Sequence, residues 1–66
     1  MGSEDLELIG RLLARRAASL SHLKKYTAAL QDYWTAAVAY RKCGRSEKAD
    51  TLEMDIVTVQ RLCDRM

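Results

Sequence analysis

The chain has 66 residues and a formal net charge of +2. That is room for one small domain, which buries only about 60% of the surface its unfolded form exposes. A charge balance so close to neutral does not call for a polyanionic partner, and the apolar runs are too short and too often interrupted by charge to span a bilayer.

Proline and phenylalanine are absent and there are three glycines. Alanine, leucine, lysine, arginine and glutamate dominate, which favours helix throughout. Met1-Gly2-Ser3 reads as an expression-tag remnant, and no signal-peptide pattern follows it. Residues 4–66 then form a single domain, with helices predicted over about 5–23, 27–42 and 46–64.

In the first helix, Glu4, Asp5 and Glu7 put negative charge at the positive end, and Ser3 or Asp5 offers a side-chain cap. Leu6, Ile9, Leu13, Ala17, Leu20 and Leu23 recur at alternating three- and four-residue steps, which predicts the buried stripe. Arg11, Arg15 and Arg16 lie off that stripe with His22 and read as a solvated basic face. Lys24 and Lys25 close the helix with the sign its C-terminus prefers.

Between Tyr26 and Tyr40 only Asp32 carries charge. Tyr26, Ala29, Tyr33, Ala36 and Tyr40 make one apolar flank of the second helix, and Leu30, Trp34, Ala37 and Val38 the other. A helix apolar over so much of its girth belongs between two neighbours, so it is expected at the centre. Trp34 and the three tyrosines are expected to fill the core and its rim. Arg41 and Lys42 end this helix, and Gly44 supplies a left-handed stop.

Ser46 is expected to cap the third helix, with Glu47 and Asp50 in its first turns. Its core stripe is Ala49, Leu52, Ile56, Val59 and Cys63, while Glu53, Asp55 and Asp64 face water. An internal echo runs at an offset of 20 residues: Leu20, Lys24 and Ala29 align with Tyr40, Gly44 and Ala49. It predicts that both turns share one geometry. The fold class is therefore all-α, an antiparallel three-helix bundle.

Cys43 and Cys63 are the only cysteines. An up-down-up bundle puts them at opposite poles, roughly 25 Å apart by helical rise, whereas a disulfide needs Cα atoms within about 7 Å. Both are read as reduced thiols, with an intracellular, cytoplasmic location as the expectation.

The run around the first turn, with Ala17, Lys24, Tyr26, Ala29, Tyr33 and Ala36, resembles the tetratricopeptide (TPR) repeat. Lys24 stands where that family usually has glycine, and no proline ends the unit. The stretch Leu13-Ala14-Arg15-Arg16-Ala17, then Lys25 to Leu30, Tyr33 and Ala36-Ala37, also resembles the opening of the MIT (microtubule interacting and trafficking) domain. Leu52-Glu53-Met54 through Gln60-Arg61-Leu62 would be that domain's third helix. The resemblance implies TPR-like helix-turn-helix packing and a groove that accepts a partner's helix or strand, often from membrane-remodelling machinery.

Two further stripes suit that role. Leu8, Leu12 and Arg15 run along the first helix, with Ser19 beyond them, and Met54, Val57 and Arg61 run along the third. If both stripes turned to one side of the second helix, they would line an apolar groove with basic ends, fitted to an amphipathic helix bearing acids. No catalytic constellation, phosphate loop or Cys-x-x-Cys is present, so no enzyme activity and no cofactor are expected. His22 has no second ligand at helical spacing, so no metal is expected either. The expected function is a non-enzymatic interaction module binding a helix or short motif of another protein, in a trafficking or scaffold complex. The alternatives are a homo-oligomerisation domain and a small DNA-binding three-helix domain. Nucleic acid fits less well, because it would need a stronger basic stripe with aromatics exposed among the charges.

Overall fold

The computed structural model describes residues 3–65, with side chains from Asp5 onward. Met1 and Gly2, and the side chains of Ser3 and Glu4, lie outside the described residues, and with them the tag reading and the Ser3 cap. Three helices follow one another: α1 (Ser3–His22), α2 (Tyr26–Lys42) and α3 (Ser46–Asp64). Asp5 sits inside the first turn of α1 rather than at its cap.

The molecule is an all-α three-helix bundle with α2 at its centre. α2 packs on both α1 and α3, while α1 and α3 make almost no direct contact with each other. The result is a flat, elongated body, with principal extents of 40 × 17 × 12 Å.

Small residues let the helices close on one another. Ala17 on α1, Ala29 and Ala36 on α2 and Ala49 on α3 have no solvent exposure, and Tyr33 and Tyr40 are buried beside them. Leu52, Ile56 and Val59 complete the core from α3, with Cys63 half-buried at the end of the same stripe. Alanines leave the backbones close, and the two rings fill the space left between the rods.

On α1 the buried stripe differs from the one predicted. Leu6, Leu13 and Leu20 are half-buried, but Ile9 and Leu23 are exposed, and Gly10 takes Ile9's place in the core. A Cβ on Gly10 would stand 3.2 Å from the Tyr40 ring. The ring therefore occupies the volume of a side chain that position 10 does not have. A search for apolar residues passes over a glycine that serves as a socket.

On α2 the second flank is narrower than expected. Leu30 and Ala37 turn inward, whereas Trp34 and Val38 are exposed and Asp32 and Ala39 are buried in their place. Trp34 and Val38 each lie two residues from a buried neighbour on either side, about 200° round the helix. They project from the face that neither α1 nor α3 covers. Trp34 therefore does not belong to the core.

The two turns share one geometry, as the 20-residue echo predicts. Lys24 and Gly44 both have positive φ, at 63° and 81°. The Lys25 amide donates to the Leu20 carbonyl and Lys24 to Ser21, matched by Arg45 to Tyr40 and Gly44 to Arg41. These bonds satisfy the last carbonyls of each helix. Neither following helix has a side-chain cap. Lys25 and Arg45 occupy the cap positions, and Ser46 is already the first residue of α3, so the Ser46 cap is not formed.

Two sets of variants check this packing. Gly10→Leu and Ala36→Leu are each expected to lower stability by ~1–3 kcal/mol, because added methylenes must enter filled space. Unchanged denaturant midpoints in both would contradict the packing. Lys24→Gly is expected to raise stability by ~0.5–1 kcal/mol and Gly44→Ala to lower it by a similar amount, since only glycine takes positive φ without steric cost. Two shifts of the same sign would contradict the shared turn.

Candidate interaction site

The structure places all six residues of the expected partner-binding stripes on the surface. Leu8 is 53% exposed, Leu12 57%, Met54 72% and Val57 50%, and Arg15 and Arg61 are exposed with them. Their place on each helix is fixed by the core stripe. Leu8 and Leu12 stand two residues from Gly10, and Arg15 two from Ala17; Met54 stands two from Leu52 and from Ile56, and Arg61 two from Val59. Two residues are about 200° of turn, so both stripes face away from α2.

The single groove expected between the stripes does not form. α1 and α3 flank α2 on different sides, so their outer faces look in different directions. The structure instead gives two separate apolar ridges. Each is crossed by acid at its beginning and arginine at its end: Asp5, Leu8, Leu12, Arg15 on α1 and Asp50, Met54, Val57, Arg61 on α3.

Charges nearer to α2 are consumed within the fold. Arg16, still on the solvated face, donates from Nε and a terminal nitrogen to both carboxylate oxygens of Asp32, at 2.7 and 2.9 Å. Asp32 is buried while the Arg16 side chain remains largely exposed. The paired hydrogen bonds hold the Asp32 carboxyl below its ordinary range, against the opposing effect of burial. Arg41 on α2 bonds Glu53 on α3, so Glu53 is engaged by a partner rather than simply facing water. Glu7 on α1 accepts from Arg45 at 3.4 Å and from Lys48 at 3.5 Å, the two ion pairs that link α1 to the start of α3 among the described residues. Lys48 also lies 5.5 Å from the Tyr40 ring centroid. Burial raises the hydroxyl pKa of Tyr33, with Asp55 adding to it. Burial also raises that of Tyr40, where Arg11 acts in the opposite direction.

The sequence signal for the Arg16–Asp32 pair was present. A lone acid among apolar neighbours on a helix packed from two sides requires a cation, and the arginine cluster on α1 is the nearest source.

At the pole formed by the first turn, Lys24, Lys25, Tyr26, Thr27, Ala28 and Cys63 line an open depression of about 420 Å³. Cys43 and Cys63 are free thiols, both half-buried. Among the described residues no three His, Cys, Asp or Glu side chains converge as metal ligands would, and no helix is long and apolar enough to cross a membrane.

Comparison of the chain with protein-family models, with curated proteins and with solved structures finds no match.

The Asp32 pair has a pH signature. A carboxyl held below its ordinary value of 3.8 binds its proton less tightly folded than unfolded. Its stabilisation is complete above that value and is lost as the pH falls through the lowered one. The difference in melting temperature between the wild type and Asp32→Asn is expected to stay level from about pH 7 to about pH 5.5 and to shrink towards about pH 3. A difference that holds constant into acid would contradict the pair.

Proposed function

We propose that the chain is a protein-binding helical module that takes a helix or short motif of another protein on its outward ridges. The observation that carries this reading is the placement of Leu8, Leu12, Met54 and Val57. They are large apolar side chains, set in rows, exposed, and turned away from α2, the helix on which both α1 and α3 pack. Singly exposed apolar residues need no explanation, but rows of them rimmed by charge mark interaction surfaces. An arginine closes each row, and Trp34 and Val38 extend the exposed apolar area on α2.

The resemblance of the first hairpin to TPR and MIT domains points the same way, since those families hold peptides and helices. A trafficking or scaffold complex is the setting that resemblance suggests. Helix-on-helix pairing along a seam, with anchors at three- and four-residue spacing, is the mode that ridges of this kind support.

Photo-crosslinking tests this. A photoreactive residue is placed at Leu12, at Val57 and, as a control, at the exposed Lys42. The first two positions are expected to join a defined protein that the control does not. Reconstituted with that protein, Leu12→Asp or Val57→Asp is expected to weaken binding about tenfold or more while leaving the melting temperature in place. Adducts no different from those at Lys42, or binding indifferent to both aspartates, would overturn the proposal.

A further inference from the structure

The outer ridge of α1 reads the same in both directions. Asp5, Leu8, Leu12 and Arg15 are spaced by three, four and three residues. Reversing the order returns the same spacing, the two leucines exchange places, and acid and base exchange ends. A helix face with this property is its own antiparallel complement.

From this we propose that a second copy of the chain docks on the first through α1, the two helices antiparallel about a two-fold axis passing between Leu8 and Leu12. The inference rests on reading the outward ridges as docking surfaces and names the occupant of one of them. In the paired helices Leu8 meets the other copy's Leu12, and Asp5 meets its Arg15, at both ends of the seam. The three-four alternation is that of a coiled-coil seam, which keeps these residues facing the partner along its length. The exposed Ile9 lies along one flank, where the two-fold brings it towards its own copy. On the other flank the two-fold brings the exposed Arg11 towards its own copy, a like-charge approach that keeps the pairing weak.

Charge disfavours two competing arrangements, and seam geometry a third. Among the described residues neither Asp5 nor Arg15 has an ion-pair partner within the chain, in contrast to Glu7 and Arg16 on the same helix. A parallel pairing would set Asp5 against Asp5 and Arg15 against Arg15. The α3 ridge has the same palindromic order, Asp50, Met54, Val57, Arg61, but its antiparallel pairing would bring Glu47 of one copy against Asp64 of the other. Pairing α1 with α3 would put like seam positions opposite each other rather than interleaved. A C2 contact between identical patches is also the commonest route to an oligomer. The seam is about three turns long and falls short of the ~800 Å² per partner of a tight complex, so the dimer is a weak one that forms as concentration rises.

Sedimentation of the purified chain up to about 1 mM, the range in which weak dimers appear, tests the proposal. The wild type is expected to shift from monomer to dimer. Leu12→Asp is expected to weaken dimerisation about tenfold or more, and Met54→Asp, on the other ridge, to leave it unchanged. Charge reversal reads the register itself. Asp5→Arg alone and Arg15→Asp alone each set like charges across the seam and are expected to stay monomeric, and mixing the two variants is expected to yield a one-to-one heterodimer. A wild type that remains monomeric throughout, a dimer lost through Met54→Asp but not Leu12→Asp, or a mixture that does not associate would each overturn the proposal. A monomer that still forms a site-specific adduct with another protein at position 12 would overturn the self-pairing alone. A monomer without such adducts at either ridge would overturn the docking reading as well.

Discussion

The bundle depends on close approach across α2. Ala17, Ala29, Ala36 and Ala49 are shut off from solvent where the helices meet, and Gly10 accepts the Tyr40 ring. A chain of this length has little apolar surface to bury, so its stability rests on short distances between rods more than on core volume. Tyr33 and Tyr40 add bulk from α2, with Gly10 and Lys48 beside the Tyr40 ring, and Leu52, Ile56 and Val59 add the rest from α3.

Placing one helix between two others also determines what is left open. Because α1 and α3 barely touch, neither covers the other's outer face. A closed bundle would share its apolar stripes around a common axis. This one uses half the girth of α2 and leaves apolar rows exposed on the flanking helices, which makes the architecture and the proposed binding role two consequences of a single arrangement. The ion pairs follow the same division. Arg16–Asp32, Arg41–Glu53 and Glu7 with Arg45 and Lys48 tie helix to helix at the flanks, while Asp5, Arg15, Asp50 and Arg61 stay on the outward ridges.

Much of the fold was legible in the sequence because it follows from periodicity and small-residue placement. The three helices, the central position of α2, the core stripe of α3 and the common geometry of the turns all have direct signals, the last in a short echo between Leu20–Lys24–Ala29 and Tyr40–Gly44–Ala49. The features that were not legible involve residues whose role depends on the partner opposite them. Gly10 has no hydropathy to contribute to a stripe, yet it is buried where Ile9 is not. Trp34 looks like core by composition, but its angular position places it outside. The lone Asp32 signals a need for a cation, but nothing in the pattern separates Arg16 from Arg11 and Arg15 as its source. The outward ridges were identified residue by residue. Their separation was not, because it depends on the side of α2 that each flanking helix occupies, and pattern along one helix does not report that.

Native-state hydrogen exchange tests the sandwiched position of α2 most directly. If the small residues hold α1 and α3 against it from two sides, the amides of Ala29, Tyr33, Ala36 and Ala37 exchange only through global unfolding, with the highest protection in the chain and a common dependence on denaturant. If those amides instead exchange through local opening, as fast as the ends of α1 and α3, α2 is not held between its neighbours, and the ridges proposed as docking surfaces lose the scaffold that orients them.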